Sequence, residues 1–276
     1  MEFWIRFSRN RSAVLGLVIF VVVLLMMATA ALFFPYDPFR MVAQPSLPPS
    51  WAHPLGTDTL GRDVAAGVAH GASTTLLISF IATSISVTFG TAVGGVAGYY
   101  GRRVDDLLMR FTEVVQTIPP FLFAILLVAV MTPSLESIII AIAVVTWPPV
   151  ARLVRAEFMT LKRREFVEAS VTLGMSNMRI IFLQILPNCI SPVIVMGSLM
   201  VATAILVESG LAFLGLGDQN VMSWGFLIGA GRGVLRTAWW ICTFPGIAIL
   251  LTVLSINLIG EGLNDALNPR LRKRSA

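Results

Sequence analysis

AVLGLVIFVVVLLMMATAALFF, residues 13–34, is the stretch that decides the fold. Its 22 residues contain no charge, and at about 1.5 Å per residue such a helix crosses about 30 Å of hydrocarbon. The run follows Arg6, Arg9 and Arg11. A basic start before an apolar stretch also describes a signal peptide, but the apolar core of those runs only about 7–15 residues, so the segment reads as an uncleaved anchor. The rest of the chain agrees: of 276 residues 56% are hydrophobic and 13% charged, against about 25% charged in soluble domains. Mean hydropathy is +0.83. Cytosolic globules, disordered chains and fibrous proteins are excluded.

Further apolar runs predict spans at about Thr74–Tyr100, Val114–Met131, Ile138–Val154, Cys189–Leu214 and Trp239–Gly260. Pro119-Pro120 and Pro148-Pro149 interrupt the third and fourth, as kinks facing a cavity or as simple helix ends. Sixteen of the twenty basic residues lie at the termini or in alternate loops; only Arg40, Arg62, Arg232 and Arg236 lie in the others. By the positive-inside rule both termini are cytoplasmic and the span number even. The expectation is an all-α membrane protein of six transmembrane helices. Its segments are residues 1–34 (N-terminus and first helix), an external loop at 35–73, and a core at 74–276 with a cytoplasmic loop at about 155–187. The net charge of +5 then follows from orientation in a lipid bilayer, not from nucleic-acid binding.

Chemistry-bearing constellations are few. Cys189 and Cys242 have no CxxC spacing and read as small core residues, and two histidines are too few for a metal cage. His53, Asp58 and Asp63 suggest a surface metal or catalytic site, but Thr57 or Asp58 as helix cap and Gly56 and Gly61 as turn residues account for them. No GxxxxGK[ST] occurs, so this chain has no Walker site for ATP. Catalytic residues, metal ligands and cofactors are therefore not expected. Glu208 is the one carboxylate within a span; it lies near the outer interface, either as a gate or substrate contact or as a group paired within the protein. Gly90, Gly94 and Gly98 repeat the GxxxG spacing of close helix approach, within the chain or with a partner.

The longest inner segment, about Arg155 to Pro187, is too regular for a slack linker. Phe166, Ala169, Ser170 and Leu173 recur at helical spacing, and Gly174 ends that helix. Ser176 can cap a second helix, whose Met178, Ile181, Phe182, Ile185 and Leu186 follow the amphipathic pattern until Pro187 closes it. The pair forms either a rigid projection or a patch lying on lipid headgroups.

Glu168-Ala169-Ser170, then Gly174, then Leu186-Pro187 resemble the EAA loop of ATP-binding-cassette importer permeases: EAA, three residues, Gly, nine residues, I-x-L-P. Ser170 replaces the second Ala and Gln184 the usual Ile. His53-Pro54-Leu55-Gly56-Thr57-Asp58, Leu60-Gly61-Arg62-Asp63, Phe213-Leu214-Gly215-Leu216-Gly217 and Asp265-Ala266-Leu267-Asn268-Pro269-Arg270 are similar to the C-type permease subunit of the dipeptide/oligopeptide/nickel branch. The resemblance implies a type I importer fold in a bacterial inner membrane and peptides as default substrate. It also implies a second, paralogous permease, two ATPase subunits and an extracytoplasmic substrate-binding protein. Glu165, Phe166, Glu168, Ala169, Ser170, Leu173, Gly174, Met175 and Ser176 would then dock an ATPase subunit; the alternative for Glu168 is an i, i+4 pair with Arg164. An ion-coupled carrier or channel is the main rival, weakened by the near absence of titratable groups inside the spans. An intramembrane enzyme is a second, for which the spans hold no paired carboxylates, HExxH or serine/histidine arrangement.

Overall fold

The computed structural model describes residues 7–267. Arg6, Asn268-Pro269-Arg270 and the basic residues Arg272, Lys273 and Arg274 fall outside the described residues. Among those described, helices are α1 Arg11–Phe33, α2 Val64–Tyr100, α3 Arg102–Thr117, α4 Pro120–Met131, α5 Leu135–Leu161, α6 Glu165–Thr172, α7 Asn177–Ile180, α8 Leu186–Phe213, α9 Trp224–Gly231 and α10 Trp240–Leu267. Five uninterrupted helical stretches are long and apolar enough to cross a membrane: α1, α2, α5, the run from Asn177 to Phe213, and α10. The bent pair α3–α4 supplies a sixth if it crosses as one unit.

The two proline pairs behave differently. Ile118 and Pro119 are both extended (ψ 130° and 127°), and the axes of α3 and α4 diverge by 81° across them. Each of these residues precedes a proline, whose ring disfavours the helical conformation of its predecessor. Pro148-Pro149 instead lie inside the unbroken helix α5. There Trp147 is 4% exposed and Val150 fully buried, so packing against α2 overrides the local preference. One turn earlier, the Ser86 hydroxyl of α2 lies 2.8 Å from Thr146 Oγ1 and 3.2 Å from the Ala143 carbonyl.

The α2–α5 seam is built on the small residues of α2. A Cβ at Gly94 would sit 2.2 Å from the Ala151 carbonyl oxygen, at Gly98 2.6 Å from that of Arg155, and at Gly90 2.7 Å from Val150 Cβ. The GxxxG face therefore packs within the chain. α1 lies against α10, where Gly16 brings Leu258 and Ser255 close.

The connection between α1 and α2, residues 34–63, is an ordered strap. α2 starts at Val64, ten residues before the apolar run predicted at Thr74, because Asp63 caps it: Oδ1 accepts from the Ala65 (2.8 Å) and Ala66 (3.3 Å) amides, and Oδ2 lies 3.0 Å from His53 Nδ1. The expected cap at Thr57 or Asp58 is thus corrected. Asp58 Oδ1 instead holds the Leu60 and Arg62 amides, both at 2.8 Å, and the Thr57 hydroxyl donates to the Gln44 carbonyl at 2.7 Å. Gly56 and Gly61 do take left-handed conformations (φ 76° and 78°). Trp240 Nε1 donates to the Thr57 carbonyl at 3.0 Å, tying the strap to α10.

Candidate functional site

The segment after α5 is positioned by its buried side. Val167 and Ile180 are each 1% exposed and join Tyr99, Val154, Phe158, Ile185 and Cys189 in one apolar cluster at this end of the bundle. Around it lie three polar ties. The Tyr99 hydroxyl donates to Asn177 Oδ1 at 2.8 Å. Lys162 Nζ donates to the Tyr99 carbonyl and stands 4.9 Å from the centre of that ring. Asp105 holds Arg155 in a two-bond ion pair, with Nη2 to Oδ2 at 2.6 Å. The apolar cluster and the two Tyr99 ties thereby fix the hairpin to α2 and α5, while the Asp105–Arg155 pair joins α3 to α5.

Between α6 and α7 the turn is a Schellman motif: the Gly174 amide donates to Val171 O at 3.0 Å and the Met175 amide to Ser170 O at 3.1 Å. It requires a left-handed residue, and Gly174 has φ 74°. Ser176 occupies the N-cap position of α7 but makes no side-chain capping bond. The second helix does not close at Pro187, as the amphipathic pattern predicts. α7 passes through a π-helical turn at Ile181–Ile185 into α8, so the chain is helical from Asn177 to Phe213. The Leu186 amide reaches back to Ile181 O, immediately before a proline that has no N–H to offer. At the other end, Arg155 to Leu161 are still part of α5. The hairpin therefore extends two long helices directly, with only Lys162–Arg164 and the Leu173–Ser176 turn as connections.

Of the residues singled out in the sequence, Ser170 is buried and its hydroxyl donates to the Phe166 carbonyl at 2.9 Å, while Met175 is half-buried. Glu165, Phe166, Glu168, Ala169, Leu173, Gly174 and Ser176 are exposed, Leu173 at 82%. Glu168 makes no ion pair with Arg164 within 4.0 Å. A carboxylate and large apolar side chains are thus exposed around α6 of the hairpin, a surface suited to binding another protein. The anchors Val167, Tyr99 and Asn177 were missed in the sequence. Val167 immediately precedes the EAA-like string, but nothing in the sequence pairs it with Ile180, nor Tyr99 with Asn177.

Glu208 lies at the opposite end of the fold, 1% exposed. Its Oε1 accepts from the Ser223 hydroxyl at 2.8 Å and its Oε2 from Ser209 at 3.2 Å. Ser223 also accepts from the Phe226 amide at 3.0 Å, capping α9. The carboxylate thus holds the start of α9 against α8. Among the described residues no group of three or more His, Cys, Asp or Glu is placed to hold a metal ion.

With this geometry in hand, residues 90–273 match the family described as binding-protein-dependent transport system inner membrane component, and residues 1–49 match the N-terminal TM domain of oligopeptide transport permease C. The chain is 39% identical over 279 residues to the di/tripeptide transport system permease protein DppC of Pseudomonas aeruginosa (strain UCBPP-PA14), covering 98% of this chain and 92% of that one. It is 40% identical over 273 residues to the oligopeptide transport system permease protein OppC of Haemophilus influenzae, covering 97% and 87%. A chain of the MetNI methionine ABC transporter in an inward-facing conformation superposes with a TM-score of 0.61 at 19% identity, over 73% of this chain and 96% of that chain. That likeness is one of fold.

Proposed function

Because the chain belongs to the family of binding-protein-dependent transport system inner membrane components, we propose that it forms half of a pathway for short peptides and is driven through the α6–α7 hairpin by a separate ATPase. The protein is a permease subunit, not an enzyme. Its partners are a paralogous permease, two ATPase subunits and a binding protein that delivers substrate from outside. The peptide substrate rests on the relatives named for dipeptides and oligopeptides.

One observation carries the coupling role: the hairpin that exposes Phe166, Glu168 and Leu173 is joined to α5 by only three residues, and its second arm is continuous with α8. A displacement imposed there by a closing ATPase dimer passes through short connections to two spanning helices, which move as bodies. Glu168 supplies the charge for a basic residue of the ATPase, and the Gly174 turn sets the angle between the two arms. Coupling is then a two-state equilibrium biased from both ends.

The test is uptake by the reconstituted complex. Uptake requires ATP and persists without a proton or sodium gradient. Glu168→Lys inserts normally but separates ATP hydrolysis from transport. Normal ATP-driven uptake by that variant defeats the assignment, as does gradient-driven uptake without an ATPase.

A further inference from the structure

A polar cleft between α3 and α5 is not used by the reading above. α3 has three faces. Asp105 and Thr112 turn inward, 8% and 0% exposed. Val104, Leu107, Phe111 and Val114 make an exposed apolar stripe. Asp106, Arg110 and Glu113 form the third face, and with Arg152 and Arg155 of α5 they line a cavity of about 520 Å³. Small-molecule sites occupy about 300–1,000 Å³.

Asp106, Arg110, Glu113 and Arg152 are exposed and face this cleft, away from the apolar stripe. Asp105 satisfies Arg155. Arg110, Arg152, Asp106 and Glu113 make no ion pair within 4.0 Å among the described residues. The walls thus hold two guanidinium groups and two carboxylates that form no ion pair with one another, although Asp106 lies close enough to Arg155 for their charges to attract. A simple anion would use one pair and leave the other facing it, as would a simple cation. A ligand carrying both charges, a few bonds apart, uses all four.

Resting on the peptide reading above, we infer that this cleft is a docking station for a short zwitterionic peptide. Arg110 and Arg152 take the terminal carboxylate, for which the planar guanidinium has matching donors, and Asp106 and Glu113 take the terminal ammonium. Arg155, in the same wall, is six residues before the end of α5 at Leu161, where the hairpin begins. A ligand spanning α3 and α5 therefore bears on the helix that carries the lever.

The experiment uses the importer assembled with its ATPase subunits, nucleotide-free and without the binding protein, and measures equilibrium binding of radiolabelled dialanine. Competition by N-acetyl-dialanine, dialanine amide and the doubly capped peptide reads the contribution of each terminus. Arg110→Gln, Arg152→Gln, or capping of either terminus weakens binding by about ten-fold or more. Asp106→Asn weakens dialanine but leaves N-acetyl-dialanine as on the parent protein. Where Arg152→Gln fails to assemble, Arg152→Lys keeps the charge and retains most of the affinity. Equal affinity for free and capped peptides, equal binding by the arginine variants, or no binding overturns the inference. ATP-driven dialanine uptake with the binding protein is run in parallel: uptake accompanied by charge-blind or absent binding overturns the cleft alone. Absence of uptake overturns the peptide reading, and the cleft with it.

Discussion

Replacing Gly174 separates backbone geometry from surface contact at the hairpin. A Cβ built there meets no heavy atom of this chain within 4 Å, yet φ is 74°, so within the chain the cost of a side chain is conformational and not steric. For an ordinary L-residue the left-handed region costs about 1–2 kcal/mol, a factor of about 5–30 in the population of the turn. The two bonds at stake are Gly174 N–H to Val171 O and Met175 N–H to Ser170 O. Asparagine tolerates this conformation better than alanine, and a β-branched residue tolerates it worst. Initial rates of ATP-driven uptake by the reconstituted complex therefore fall in the order Gly174, Asn, Ala, Val, while hydrolysis persists without matching transport. Asparagine is larger than alanine, so a purely steric clash with a docked ATPase gives the opposite order. Gly174→Asn performing worse than Gly174→Ala, or Gly174→Val performing as the parent, would refute the backbone account.

Gly94→Val, whose Cβ falls 2.2 Å from a carbonyl oxygen of α5, prevents that seam from closing and lowers the amount of assembled protein in the membrane; Gly246→Ala, with open space around its Cβ, leaves it unchanged. Equal yields of the two would undo the packing account of α2. Asp63→Ala removes the acceptor for two amides of α2 and the partner of His53, a loss of about 0.5–2 kcal/mol that shows as faster proteolysis within residues 35–63. Ser223→Ala lowers the melting temperature of the complex more than Ser209→Ala, because Ser223 serves both Glu208 and the α9 amide. Equal shifts would show that the Ser223 cap of α9 adds nothing to what either serine gives Glu208.

Legibility differed from element to element for physical reasons. The first span and the α6–Gly174 turn follow from rules acting within a few residues: an uninterrupted apolar run, a helical period, a residue that accepts positive φ. The proline pairs were ambiguous because their local chemistry is the same. One breaks the helix and the other is carried through it, according to whether a neighbouring helix buries it. The cap of α2 was misplaced for a related reason: Thr57, Asp58 and Asp63 are all competent caps, and Asp63 takes the position as part of a strap closed by His53. At the hairpin, the exposed residues could be named from their motif. Their anchors could not, since Val167 meets Ile180 and Tyr99 meets Asn177 only after the chain has folded back.

By itself, then, the sequence determined membrane residence, most of the span positions, the family, and the motif proposed above to meet an ATPase, because composition, period and motif spacing are properties of the chain. Only the tertiary structure decided that the GxxxG face is spent within the chain, that Glu208 is enclosed by two serines, that the hairpin continues into α8 through a π turn, and that unpaired charges of α3 and α5 share one cavity. Each of these depends on which distant backbone comes within a few ångströms, and that follows from packing in three dimensions.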